Sequence, residues 1–315
     1  MTPCVIALDV GGTVLKGALL DRDLRPLAEL RRPTGREHGP DAVVDAISAA
    51  LAELAARAAD LGLTVHGTGV AVLGIVDEST GRAVYSENVG WRDLPLAEIL
   101  AERTGLPVAI GHDVRTGARA EVAIGAARGV RDVLFMPIGT GISCAAVYDG
   151  QIISGGGYAG EIGHLCAEPE GEPCPCGARG CLETVASAAS IARRFAARSG
   201  RPAEGAAEVV AWLDKGDPVA REVWDEAVAA LAAALGVAVT LFAPELIVLG
   251  GGLAESGDRL LVPLGAALEA RLTFQRRPRL VRAALGDRAG CLGAGLLAWA
   301  QPASPEAASG GESSL

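Results

Sequence analysis

Twice in this chain a glycine turn is set between two short apolar strands. Val5 to Val10 and Leu15 to Leu20 flank Gly11-Gly12, while Val133 to Ile138 and Ser143 to Tyr148 flank Gly139-Thr140-Gly141. Apolar runs of this kind, bounded by glycine, read as strands joined by tight hairpins. The repeat is weak as a sequence signal, but it repeats a chemical device and not only a shape. Further strands are expected at Leu27 to Arg32, after Asp21-Arg22-Asp23, at Val70 to Ile75, at Pro107 to Ile110 and at Leu246 to Leu249. Helical spacing runs over Asp41 to Leu61, where Val44, Ile47, Leu51 and Leu54 recur at three and four and Asp41 stands as the N-cap. Helices are also expected over Leu96 to Arg103, from Asp113 to about Ala126, over about Pro218 to Leu241 and over about Gly290 to Ala300. Residues 154–183, rich in Gly, Cys and Pro, read as a folded loop.

Composition narrows the class. Hydrophobic residues are 50% and charged residues 21% of 315, too apolar for a disordered chain and long enough for two domains. No window holds eighteen uninterrupted apolar residues, so no membrane span is expected. Met1 to Val10 lacks a basic stretch and a long apolar one, so no signal peptide is expected and the protein is read as cytoplasmic. A formal net charge of -10 argues against nucleic acid as a partner. Seven unevenly spaced cysteines argue against a disulfide framework, and three of them, Cys174, Cys176 and Cys181, fall within eight residues.

Three glycine sites suit phosphate chemistry. In Asp9-Val-Gly-Gly-Thr-Val-Leu-Lys16, Gly11 and Gly12 let backbone N–H groups converge on an anion, with Thr13 and Lys16 beside them. Asp9, at the strand end, could hold Mg²⁺ through water, since magnesium takes few carboxylates. An ordinary glycine hairpin with an acidic neighbour fits this segment equally well. Gly139-Thr140-Gly141 offers a second set of donors. Gly250-Gly251-Gly252 tolerates close contact with a flat ligand such as adenosine. No GxxxxGK[ST] motif occurs, which counts against a P-loop.

The metal signal is stronger. Gly160-Glu161-Ile162-Gly163-His164 precedes Cys174-Pro-Cys176-Gly-Ala-Arg-Gly180-Cys181-Leu182-Glu183. One His and three Cys are the four ligands that tetrahedral Zn²⁺ prefers, and the site reads as closed and structural. A zinc-fixed loop would orient Glu161, His164 and Glu183, whose polar groups suit a polyol.

The combination D-x-G-G-T, G-T-G, G-E-I-G-H and C-x-C-G-x-x-G-C-L-E resembles the ROK family of sugar kinases and sugar-responsive regulators, from about Val5 to Ala300. The resemblance implies an α/β, two-lobed actin-like ATPase (ribonuclease H-like) fold with a zinc-bound loop. It implies a small lobe of residues 1–112 plus 290–301 and a large lobe of 113–289; the tail over 302–315, rich in Pro, Ala, Ser, Gly and Glu, is expected to be disordered by its composition. It also implies an ATP-dependent kinase of a hexose hydroxyl, first of all O6 of glucose, with N-acetylglucosamine and N-acetylmannosamine as rivals. The cofactors would be ATP, Mg²⁺ and structural Zn²⁺ on His164, Cys174, Cys176 and Cys181, and the protein a homo-oligomer, dimer or tetramer. The family's catalytic Asp sits in N-D-x-N at a helix start, and here the segment is Gly111-His112-Asp113-Val114-Arg115. Asp113 matches the base position, although an Asp before a helix is commonly only a cap. Gly74, Asn88, His112, Asp113, Glu161, His164 and Glu183 are the implied sugar contacts. His112 and Arg115 replace the family's two Asn residues, and Leu73 stands where Pro-Gly is common. A sugar-binding regulator without kinase activity is the alternative of another class. The regulators carry an N-terminal helix-turn-helix, for which Asp9 leaves no room.

Overall fold

The computed structural model describes residues 2–302; the expected tail beyond 302 lies outside them. In chain order the first elements are β1 (Thr2–Val10), β2 (Val14–Leu20), β3 (Pro26–Pro33), α1 (Pro40–Asp60) and β4 (Leu63–Val72). Then come β5 (Ile75–Asp77), β6 (Arg82–Ser86), β7 (Trp91–Leu94), α2 (Leu96–Thr104), β8 (Val108–His112) and α3 (Asp113–Ile124). There follow β9 (Val133–Pro137), β10 (Ala145–Tyr148), β11 (Gln151–Ile152), α4 (Leu182–Ala186), α5 (Ala188–Ser199), α6 (Ala206–Asp214) and α7 (Pro218–Phe242). The chain ends with β12 (Leu246–Gly250), α8 (Gly251–Ala254), α9 (Asp258–Glu269), β13 (Arg279–Arg282) and a closing helix, Ala289–Trp299.

Two compact units form. Among the described residues one comprises 2–120, Ser154–Tyr158 and 287–302; the other comprises Glu121–Ile153 and Ala159–Gly286. The divide falls at 120/121 and 286/287 rather than at the expected 112/113 and 289/290. The first two turns of α3 stay with the first unit because their partners do. A Cβ on Gly293 of the closing helix would lie 1.9 Å from the Thr116 carbonyl oxygen, and Arg115 is bonded to Glu78, Val76 and Gly157.

Each unit is built on a five-stranded sheet of the same plan. The orders are β3-β2-β1-β4-β8 and β11-β10-β9-β12-β13. In both, an antiparallel meander is followed by two strands parallel to its first member. The weak sequence repeat is thus a repeat of topology, as the ribonuclease H-like plan requires. In β1 the run Cys4 to Leu8 is fully buried, as a strand covered on both faces must be. Val43, Ile47, Leu51 and Leu54 of α1 join one of those cores. Its N-cap is Gly39, with Pro40 at the first helical position, so Asp41 supplies only a first-turn negative charge. Proline's fixed φ and missing N–H suit that first position, which displaces the cap expected at Asp41.

The strand expected at Val70 to Ile75 is two. β4 ends at Val72, Gly74 turns the chain at φ 100°, and β5 opens a three-stranded sheet with β6 and β7. In the second unit α7 starts on Asp217, whose carboxylate accepts from the N–H groups of Val219 and Ala220 at 3.0 and 2.9 Å. By length and composition α7 is apolar enough to cross a membrane. Its Val223, Trp224, Leu231 and Leu235 are instead buried in the second unit's core.

Candidate active site

In the first unit the β1–β2 turn is closed by the Gly11 N–H donating to the Val14 carbonyl at 3.1 Å. Thr34, fully buried, braces it from outside: its hydroxyl donates to the Gly11 carbonyl at 2.7 Å and its N–H to the Thr13 carbonyl at 2.9 Å. Asp9 and Lys16 are paired across the two strands, with Lys16 Nζ 3.7 Å from Asp9 Oδ2. Asp287, which the sequence reading did not include, also binds Lys16. Burial pushes the Asp9 carboxyl up to about 6; Lys16 opposes this, while the charges of Asp113 and Asp287 add to it.

Gly290 was likewise not read from the sequence. It lies in the first turn of the closing helix, where a Cβ would come within 2.7–2.9 Å of the Asp9 carboxylate atoms. Only glycine lets that turn approach Asp9 so closely. Gly290→Ala should keep the helix, since alanine is the better helix former, but must displace the carboxylate. If the site transfers phosphoryl groups as the resemblance implies, the rate should fall by about 10²-fold with the circular dichroism spectrum unchanged, as a misplacement of about 1 Å can cost. An unaltered kcat would show that Asp9's position does not matter.

Asp113 opens α3 directly after β8. Its Oδ1 accepts from the Val114 N–H at 2.7 Å and lies 3.4 Å from His112 Nε2. The helix is capped by His112 instead, whose Nδ1 accepts from the Arg115 N–H at 3.4 Å. The Val114 N–H thus holds one carboxylate oxygen, with the His112 ring beside it. Burial pushes the Asp113 carboxyl up to about 6, against the lowering by the Val114 N–H and the Arg115 charge.

Arg115 does not stand in for the asparagine it replaces. Its side chain has 0% exposure, so it cannot meet a sugar. Nε donates to Glu78 Oε1 at 2.6 Å, and Nη2 and Nη1 donate to the Val76 and Gly157 carbonyls at 2.8 and 3.3 Å. Glu78 Oε1 also accepts from the His112 N–H at 3.3 Å. Arg115 and Glu78 thus anchor the turn that carries His112 and Asp113. Gly74 presses on β6, where a Cβ would lie 2.3 Å from the Tyr85 carbonyl oxygen. Asn88 is exposed in the turn between β6 and β7.

In the second unit the two glycine sites come together. The Ile138 N–H donates to the Gly250 carbonyl at 2.9 Å, and the Leu253 N–H to the Ile138 carbonyl at 3.0 Å. Gly139-Thr140-Gly141 and Gly250-Gly251-Gly252 therefore flank one strand end, with open space around Gly139 and Gly252. Glu183 joins them: its Oε2 accepts from the Ile142 N–H at 2.9 Å, so one of its oxygens is already engaged. The G-E-I-G-H spacing has a packing cause. Cβ atoms on Gly160 and Gly163 would each lie 2.1 Å from a carbonyl oxygen, of Cys144 and Ile142. The turn is thereby pressed flat on the chain leading into β10, and Glu161 and His164 stay exposed.

The donor atoms of His164, Cys174, Cys176 and Cys181 all lie within 4.8 Å of one another. Cys174 Sγ is 3.7 Å from His164 Nδ1, and Cys176 Sγ is 3.6 Å from Cys181 Sγ. Zinc bonds of about 2.0–2.3 Å at tetrahedral angles give edges of about 3.5–3.8 Å, which these two separations match, so the donor set suits that ion. His164 turns Nδ1 to the cluster and Nε2 toward Glu161, 3.9 Å away.

The ROK family model matches residues 5–301. The chain belongs to the ROK family. It is 35% identical to the Glucokinase of Halalkalibacterium halodurans over 320 residues, covering 96% of each chain. Among solved structures it resembles a ROK hexokinase from Thermus thermophilus, with TM-score 0.81 and 33% identity over 94% of this chain and 98% of that one. It also resembles a ROK family glucokinase from Streptomyces griseus in complex with glucose and AMPPNP, with TM-score 0.82 and 28% identity over 95% and 100% of the two chains. The fold is the actin-like ATPase fold of that family.

Proposed function

We infer that this ROK protein is an ATP-dependent hexokinase of the glucokinase type, transferring the γ-phosphoryl group to O6 of glucose. The observation that carries the reading is the likeness to a Glucokinase over 96% of both chains. Asp113 is the proposed base. The sugar hydroxyl donates to Oδ2, which takes the proton as the bond to phosphorus forms. The Val114 N–H keeps the other oxygen occupied, which leaves Oδ2 to the sugar. The N–H groups of Gly11 to Thr13 and of Gly139 to Gly141 receive phosphate oxygens, Lys16 adds charge, and Gly250 to Gly252 make room for the adenosine.

Mg²⁺, when bound, neutralises the ATP phosphates, and Asp9 is the carboxylate that would hold it through water. Gly74, Asn88, Glu161, His164 and Glu183 are the proposed sugar contacts; His112, expected among them from the sequence, is buried and serves instead to cap the helix that carries Asp113. Glu183 has one oxygen to give, the other being held by Ile142. Zinc, when bound, fixes the geometry of the loop that carries three of these residues. A homo-oligomer, dimer or tetramer, and a cytoplasmic location go with this reading.

The test is coupled ADP release over a panel of hexoses and amino sugars. Glucose is expected to stimulate release most, with N-acetylglucosamine and N-acetylmannosamine behind it. If no sugar exceeds the Asp113→Asn background, the protein is not a sugar kinase; glucose binding without ADP release would make it a sensor. The metal is separable. Removing zinc with a strong chelator should raise KM for glucose by about 10–100-fold, as loss of a site's supporting contacts does, and leave KM for ATP within error. An equal rise in both would refute a role confined to the sugar.

A further inference from the structure

Cys166 lies outside the four-ligand cluster, yet it faces one member of it across a short antiparallel bridge. The Leu182 N–H donates to the Leu165 carbonyl at 2.8 Å, and the Ala167 N–H to the Gly180 carbonyl at 2.7 Å. These bonds bracket Cys166 and Cys181, which are directly opposed. That pattern is a non-hydrogen-bonded pair, in which the Cα atoms stand about 4.5 Å apart with both side chains on one face. The spacing lies within the window a disulfide accepts, about 4.4–6.8 Å between Cα atoms. Cys166 is exposed and Cys181 is buried, so an oxidant reaches the first sulfur and the fold holds the second behind it.

We propose that Cys166 and Cys181 form a reversible disulfide in response to hydroperoxide, and that this bond controls occupancy of the metal cluster. The proposal rests on the reading of Cys181 as a zinc ligand. The Cys166 thiolate attacks a peroxide oxygen, the O–O bond breaks, and a sulfenic acid and hydroxide form. The Cys181 sulfur then attacks the Cys166 sulfur; the S–S bond forms, the S–O bond breaks and hydroxide leaves. In sum two thiols are oxidised and one hydroperoxide is reduced, to two waters when it is hydrogen peroxide. Cys166 reacts first because it is exposed and stands outside the ligand cluster, whereas Cys181 is buried within it. Once Cys181 is engaged, only His164, Cys174 and Cys176 are left for the ion. His164 stands two residues before Cys166 and Glu183 two residues after Cys181, so the bond joins the two segments that carry proposed sugar contacts.

The test uses the full chain, with its zinc content measured first. Hydrogen peroxide is added while released zinc is followed with a chromophoric chelator and peptides are mapped without reduction. A Cys166–Cys181 peptide should accumulate in step with zinc release, and dithiothreitol should reverse it. Release from Cys166→Ser should be roughly tenfold slower, since the intramolecular partner is gone. Equal release from both proteins, or linkages only among Cys174, Cys176 and Cys181, overturns the proposal. Purified protein without zinc overturns the metal reading instead, and the peptide map of the wild type then decides the cysteine pair on its own.

Discussion

Asp113→Asn should leave a folded protein whose phosphoryl transfer to glucose is slower by about 10²–10⁴-fold, the usual contribution of a positioned general base. Asparagine can still accept from the Val114 N–H, so the start of α3 survives and only the proton acceptor is lost. The loss should appear in kcat and not in KM for ATP. The pH profile carries the same information. The base works only when ionised, and its carboxyl is pushed up to about 6. The rate should therefore fall as pH drops through about 6, more steeply than one proton allows because Asp9 is also pushed up to about 6.

Stability moves the opposite way. A carboxyl raised in the folded state binds its proton more tightly there, so its ionisation opposes folding. That penalty is absent below the unfolded value near 4 and complete above about 6. Asp113→Asn should be more stable than the wild type above pH 6, and the gap should close toward pH 4. The Asp113 side chain is 37% exposed, which keeps the effect small. A variant equal in rate to the wild type removes Asp113 from the chemistry.

Arg115→Ala is the second large effect, and it is one of stability. The substitution removes the nearer of the two cations beside Glu78, leaving Arg119 at 3.7 Å, and strips donors from the Val76 and Gly157 carbonyls. Breaking a buried, hydrogen-bonded pair from one side costs about 3–5 kcal/mol, or a Tm lower by roughly 10 °C for a unit of this size. Arg115→Met combined with Glu78→Gln should recover much of that loss, because no charge is then left facing an apolar wall. A cost below about 1 kcal/mol, the worth of a surface pair, would mean that the network does not hold the Asp113 turn.

These residues also mark where sequence reasoning stops. The hairpin at Gly11-Gly12, the Gly139 turn and the four metal donors were legible because each is local. A turn needs its glycine and a metal loop needs its ligands close together, so spacing alone carries the signal. Arg115 was legible only as a departure from a motif. Its partners Glu78, Val76 and Gly157 lie 37, 39 and 42 residues away, and nothing in its neighbours announces that it is buried. Gly290 reads as one small residue among several, and its meaning comes from Asp9 at the other end of the chain. The sheet of β5, β6 and β7 was missed for another reason. Its strands are short and half-exposed, so neither alternation nor an apolar run stands out. The cap of α1 went to Gly39 and Pro40 because proline geometry outweighed the nearby aspartate.

The closing helix has a consequence for biogenesis. It lies against β1 and β4 so tightly that a Cβ on Gly69 would meet the Ala294 carbonyl oxygen at 1.9 Å, yet it is the last of the described elements in chain order. The unit that begins emerging first must wait for it with one side of its sheet uncovered, while the unit ending at Gly286 already has all its parts. A chain truncated after residue 286 should thus present one half resistant to protease and the other still open to it.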